Sequence, residues 1–401
     1  MYLNAFEREM LEGRYGAGTA TAMKVLVAIG EAFGAEKMVE ISRAHVALSN
    51  QEADLWFVEK LVRGGATCLV SPTVNPGFNL EYFQAASSLE PLDEATIKRT
   101  RDAYRAIGAT LTYSCTPYLE KNIPRPGEIT AYSESSATPY INSVYGARTN
   151  RESAQSALCC AVTGRTPLYG FLLDENRRGN VLVEVEAGLK DDFDYQLLGY
   201  CVPKKAGPGV PVFTNLPGRI SPEALMNLGA QLNTAGAVSM YHIAGVTPEA
   251  PTVEDAFKGE KPLKRIVITD YDLQETHDSI TAGRGKIEFA MFGCPHFTID
   301  QVAEIVRLLG GRVFKAEFWV LTSSLTRELA RRMGYLEIIE QAGGHIVDDT
   351  CIDQPCWRHL YGKRGVTDSP KCAYYAKRRN MEFVIRRLAD CVEAAVRGEA
   401  D

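Results

Sequence analysis

The chain lacks most of what would take it out of water. It contains no run of about 18 apolar residues, which excludes a conventional membrane-spanning helix. Residues 1–16, "MYLNAFEREMLEGRYG", carry acids and no long apolar core, so no secretory signal is expected and the cytoplasm is the expected compartment. Positive charge is not in excess: 44 Lys and Arg stand against 50 Asp and Glu, a formal net charge of −6. That balance disfavours a basic nucleic-acid surface. None of the ten cysteines forms a CxxC pair. The nearest approach, "CIDQPC", is wider, so neither a zinc finger nor a thioredoxin-like motif is supported. Without export, disulfide staples are not needed. Low-complexity tracts and simple internal repeats are also missing. Any metal must therefore be held by ligands brought together from distant loops.

What is present is the composition of a sizeable globular protein. The 401 residues are 45% hydrophobic and 23% charged, enough for two or three domains and a large core. Helical periodicity runs through "NAFEREML", "TATAMKVLVAIGEAFG", "NQEADLWFVEKLVRGG" and "EATIKRTRDAYRAIGAT". Expected strands lie between them, in "KMVEISRAHVALS", "ATCLVSPTVNPGF" and "LTYSC". A helix is expected from about Ser153, with Cys159 and Cys160 in its apolar face as core. Next come a strand "VLVEVEAGL", a strand-and-loop stretch "GYCVPKKAGPGVPVFTNLPG", and a capped helix "SPEALMNLGAQLNTAG". The loop "VTPEAPTVEDAFKGEKP" is the expected domain boundary, dividing residues 1–250 from 251–401. The last third alternates β–α–β–α–β and ends on "NMEFVIRRLADCVEAAVRG", read as a closing helix. That order implies a parallel sheet with helices on its faces, and ligands gather beyond the C-terminal ends of such strands. Trp56 and Trp319 sit in apolar runs and are expected in the core, and Cys356 and Cys372 read as structural.

Cys115, Cys294 and Cys351 share one setting. Each ends an expected strand ("LTYSC", "EFAMFGC", "HIVDDTC") and enters a loop, where free backbone N–H groups favour a thiolate. Three thiolates from three loops can hold iron or an iron–sulfur cluster. Three chance strand ends are the plain alternative. Three ligands rather than four would leave one iron position free to bind a substrate oxygen.

"YSCTPYL", "ESSATPYINSVYGARTNRES", "TGRTPLYG", "FGCPHFTIDQV" and "DTC" together resemble aconitase X, a branch of the aconitase superfamily, over almost the whole chain. The likeness is to the large, catalytic subunit of the two-chain form, and nearer to the bacterial hydroxyproline enzymes. It implies an aconitase-like multi-domain α/β fold, with parallel sheets flanked by helices around a central cleft. The 1–250 region would form one cleft wall with the first cluster cysteine, and 251–401 would carry the other two. It implies an iron–sulfur cluster on Cys115, Cys294 and Cys351. It also implies a small-subunit partner supplying a swivelling domain and the catalytic serine, for which this chain has no equivalent. The activity implied is dehydration of cis-3-hydroxy-L-proline to Δ1-pyrroline-2-carboxylate, with mevalonate 5-phosphate as the alternative substrate. An iron-dependent RNA-binding role, known among aconitase relatives, is weighed against by the acidity of the chain.

The same resemblance puts Ser49, Asn75 and Pro76 on substrate-touching loops. It places Asn142, Arg148, Thr149, Asn150 and Arg151 near the cleft, after Glu134 and Ser135. The residues also carry readings of their own. Arg148 and Arg151 can bind a substrate carboxylate bidentately or make surface ion pairs. Glu134 can act as a base or bind loop backbone. His296 can orient the site, cap the next helix, shift protons or simply hold a loop. Asn75 can bind substrate or merely build an Asn-Pro-Gly turn, and His45 is equally open. In "DSPKCAYYAKRRN", Ser369 and Lys371 can contact a carboxylate or phosphate.

Overall fold

Strands alternating with amphipathic helices are satisfied by parallel pairs joined through helical crossovers. The computed structural model, which describes residues 1–48, 52–86 and 89–400, uses that solution three times. Ser49 lies outside the described residues. The first unit is a three-stranded parallel sheet with Arg43–Val46 between Thr73–Val74 and Thr130–Tyr132. Helices Ala17–Ala32, Glu52–Arg63, Pro91–Ala106 and Ala154–Thr163 accompany it. In the last of these Cys159 and Cys160 are buried, as their apolar setting requires. The second unit is a four-stranded parallel sheet in the order His242–Ile243, Pro211–Thr214, Val181–Val185, Lys264–Ile268. The third has five parallel strands in the order Gly344–Asp348, Glu317–Thr322, Phe289–Phe297, Arg364–Thr367, Glu382–Ile385. One apolar core runs through all three, from Phe78 and Tyr132 through Val183 and Leu228 to Met291 and Phe383.

The third sheet decides where a ligand can sit. Its first strand, Phe289–Phe297, lies in the middle, and the chain builds outward in one direction and then in the other. The crevice beyond the ends of Phe289–Phe297 and Arg364–Thr367 is therefore the switch point, where no crossover helix blocks access.

Several local readings change in three dimensions. Gly199–Ala206 is not strand and loop but the end of a helix, Asp192–Ala206, whose Asp191 side chain accepts from the N–H groups of Phe193 and Asp194. Pro203 is tolerated in its last turn because it packs flush on the partner helix Pro222–Gly236. A Cβ on Gly236 would lie 2.2 Å from the Pro203 Cβ. "LTYSC" forms no strand, because Tyr113 takes a φ of 45° and breaks the extension. "NMEFVI" is not the start of the closing helix but the edge strand Glu382–Ile385, and the helix is Leu388–Arg397. The loop 246–262 lies inside the second unit, since Lys264–Ile268 returns to pair with Val181–Val185. Trp319 is buried, whereas Trp56 is 52% exposed with Lys60 4.9 Å above its ring.

One buried cation ties the first two units together. Arg177 is fully buried. It donates to both Glu249 oxygens at 3.0 Å through Nε, and at 3.0 Å to the carbonyls of Phe171 and Asn142. Removing one partner of such a pair strands the other. Arg177→Met is therefore expected to cost about 3–5 kcal/mol, read as a lowered urea midpoint at unchanged slope. A loss below about 1 kcal/mol, the size of an exposed pair, would contradict it.

Candidate active site

The switch-point crevice opens into a cavity of about 140 Å³ lined by residues of the first and third units. Cys115, Cys294 and Cys351 are all on its wall, with Asn75, Pro76, Glu134, Ser135, His296 and Lys371. Ten of the positions that fit a site in the sequence thus lie here or directly behind, Ser369 being the one behind.

Each cysteine is presented by a locally unusual backbone. Five steps along the central strand, Phe292 to Phe297, face only two on its neighbour, Val320 to Thr322. The extra residues bulge out, and bulges re-aim side chains. Gly293 permits the bulge: its φ is +96°, and a Cβ there would lie 2.0 Å from the Leu321 carbonyl oxygen. Tyr113 (φ 45°) and Asp349 (φ 60°) likewise precede Cys115 and Cys351 by two residues. The three carbonyls are each tied back by a side chain. Ser136 Oγ donates to that of Cys115 at 2.9 Å, Ser369 Oγ to that of Cys294 at 2.6 Å, and Trp357 Nε1 to that of Cys351 at 2.9 Å. The Cys351 N–H donates to the Gly77 carbonyl at 3.0 Å, which docks the first unit on the third. The His296 N–H donates to Cys115 Sγ at 3.2 Å. Burial pushes the Cys115 and Cys294 thiols well above their usual range and Cys351 up to about 11. Binding a metal would displace their protons. Among the described residues no three His, Cys, Asp or Glu side chains converge as a single-ion site.

Beside the thiols sits a buried ion pair. Glu134 Oε1 accepts from Ser135 Oγ at 3.0 Å, the Ser136 N–H at 3.1 Å and Lys371 Nζ at 3.2 Å, while Oε2 accepts from the Asn75 amide. Burial opposes ionisation of Glu134, but Lys371, Asn75 and the Ser136 N–H outweigh it and hold the carboxyl down at about 2. Burial would likewise neutralise Lys371, and Glu134 raises it instead. His296 Nε2 donates to the Thr350 carbonyl at 3.0 Å, so the neutral ring keeps a lone pair on Nδ1. That buried atom has no partner among the described residues. Burial lowers the His296 pKa to about 4.

Other expected contacts are elsewhere. Arg148 donates to the Leu172 carbonyl at 2.9 Å and pairs with Asp174, away from the cavity. Arg151 is exposed and does not line the cavity, and its backbone bridges to Tyr132. Asn142 is buried, donating to the carbonyls of Thr149 and Ser239 and accepting the Thr149 N–H at 3.0 Å. Thr149 donates to the Asn150 carbonyl, and Asn150 clasps Tyr169 and Phe171. These polar residues satisfy a buried loop backbone rather than a ligand. Ser369 caps the helix Pro370–Ala376 and holds Cys294. Conversely, Tyr375 and Asp353 line the cavity and were not singled out by the sequence. Tyr375 stands one helical turn after Lys371, a spacing that could have shown it.

A cleft between α/β units, with three thiols and a buried ion pair on its wall, is an arrangement that a hydro-lyase of the aconitase type can use. The chain matches the aconitase X first domain over residues 1–175, the second over 179–278 and the third over 287–397, and it belongs to the aconitase X family of dehydratases. It is 39% identical over 381 residues to the phosphomevalonate dehydratase large subunit of Methanothermobacter thermautotrophicus, covering 94% of each chain. It is 34% identical to the cis-3-hydroxy-L-proline dehydratase of Pseudomonas aeruginosa, covering 99% of this chain and 70% of that one. The crystal structure of Thermococcus kodakaraensis aconitase X in its holo-form superposes with a TM-score of 0.90 at 34% identity, over 98% of this chain.

Proposed function

We propose that this chain is the large subunit of a two-chain dehydratase, and that its substrate is cis-3-hydroxy-L-proline, converted to Δ1-pyrroline-2-carboxylate. The observation that carries the substrate is the Glu134–Lys371 pair, set in a small cavity beside the three thiols. The volume is below the roughly 300–1,000 Å³ of drug-sized pockets. A cyclic amino acid is a compact zwitterion. Its carboxylate can take up Lys371 and its ammonium Glu134, with no net charge brought into a buried site.

An iron–sulfur cluster on Cys115, Cys294 and Cys351 would supply a Lewis acid that helps a hydroxyl leave. Thiols on separate irons of one cluster need not close on a single ion. The chain's own residues do the rest. Lys371 holds the carboxylate while negative charge builds on the adjacent carbon. His296 Nδ1 offers the substrate hydroxyl an acceptor and orients it. Glu134, ionised and bonded through both oxygens, is too weakly basic to remove a carbon-bound proton efficiently, so it acts as an electrostatic partner. The base comes from the small subunit, whose serine completes the site. One C–H proton and one hydroxyl leave as water, and the enamine tautomerises to the cyclic imine, so no oxidant is used.

The names of the relatives favour mevalonate 5-phosphate as a second reading, since four archaeal large subunits so named are 33–39% identical over nearly their full length. Among the described residues the cavity lining has one cation for that strongly anionic substrate, Lys371, and Arg378 and Arg379 are paired with Asp353. Co-expression with the small subunit and anaerobic assay of both compounds tests the choice. Turnover of the imino acid alone is expected. Turnover of the phosphorylated acid alone would reverse the assignment.

A further inference from the structure

Behind the cavity wall a chain of buried polar groups runs up to Asn75 and Glu134, which line the cavity. His45 is fully buried on Arg43–Val46, with Nε2 2.7 Å from Asn75 Oδ1 and Nδ1 2.8 Å from Thr73 Oγ1. The Asn75 amide N–H points at Glu134, whose ionised carboxylate can only accept, so the amide oxygen must face His45. His45 Nε2 therefore carries the proton. A neutral ring then accepts on Nδ1, and the Thr73 hydroxyl supplies the hydrogen. Thr73 Oγ1 in turn accepts from Asn122 Nδ2 at 2.8 Å. All the hydrogen bonds run one way, from Asn122 through Thr73, His45 and Asn75 to Glu134.

We propose that His45 is a positioning residue for Glu134: its Nε2–H locks the Asn75 amide so that an N–H, not an oxygen, faces the carboxylate. An amide is nearly symmetric in shape, so packing alone cannot choose its orientation. A proton on Nε2 can, because the reversed amide would set donor against donor at His45 and acceptor against acceptor at Glu134. Burial pushes the His45 pKa down to about 4, against the opposing pulls of Asn75 and Glu134. The ring is thus neutral, with one defined tautomer, through the working pH range. A histidine that merely filled the core would need no particular tautomer. The inference rests on the reading that Glu134 faces the substrate.

The test uses the two-subunit holoenzyme. ¹⁵N-histidine spectra near neutral pH, with His45 assigned by its loss in His45→Gln, are expected to show the Nε2–H tautomer. His45→Leu is expected to lower kcat/KM by about 100-fold. His45→Gln, whose amide can still donate to Asn75, is expected to stay within about tenfold of the native enzyme. An Nδ1–H or charged ring would overturn the proposal, as would native activity in His45→Leu or equal losses in both variants. Where neither substrate is turned over, or His45→Leu does not fold, the tautomer of the native protein, assigned through His45→Gln, decides alone. A wrong substrate assignment is thereby kept distinct from a wrong role for His45.

Discussion

Cys294→Ser is expected to lower bound iron by at least about tenfold, and dehydratase activity with it, while the far-ultraviolet circular dichroism stays near native. Cys294 lies on the bulge of the central strand, held through its carbonyl by Ser369 and not through its sulfur. Serine preserves that anchor and the size of the side chain, so the fold has little reason to respond. Its hydroxyl is a far weaker donor to iron than a thiolate at neutral pH. Iron analysis on anaerobically purified protein measures the outcome. Unchanged iron would remove Cys294 from the ligand set, and with it the cluster reading of the cavity.

Lys371→Met should separate the ion pair from the metal. Iron is expected to stay, because Lys371 touches no sulfur-anchoring group, while kcat/KM falls by about 10³-fold. Stability should fall too, by about 3–5 kcal/mol, since Glu134 is left as an uncompensated buried charge. The loss depends on pH in a defined way. Glu134 is depressed from 4.5 to about 2, so its contribution is complete above its ordinary value and disappears as pH falls through about 2. Lys371 is raised above its ordinary 10.5, so its contribution is complete below that value and disappears only as pH rises beyond it. The gap between native and variant, read from urea midpoints, is therefore widest between about 4.5 and 10.5 and narrows toward acid. A gap that did not change with pH would show that the two groups are not coupled. Lost iron in this variant would mean that Lys371 supports the thiols directly.

Local chemistry was legible where it closes on itself within a turn or two. Thr298 and Gln301 form a capping box, and Ser221 before Pro222 starts a helix, so those elements could be placed from residue types. The regions around Pro203, Tyr113 and Met381 depart from expectation because packing outvoted propensity there. Arg148 shows the same limit at the site. Its motif is polar and glycine-containing, as a binding loop would be, yet its guanidinium is taken by Leu172 and Asp174, residues more than twenty positions later. Lys371 looked no more promising, and the fold turns it inward to Glu134, 237 positions away.

Most of the strands and helices and the kinship with aconitase X were contained in the linear chain, because propensity, capping and motif identity are local properties. Whether Cys115, Cys294 and Cys351 share a wall was not. Their meeting depends on which sheet strand lies central, on the Gly293 bulge, and on the Cys351 N–H finding the Gly77 carbonyl. Those are long-range contacts, chosen by the packing of whole units, and no short stretch of residues encodes them.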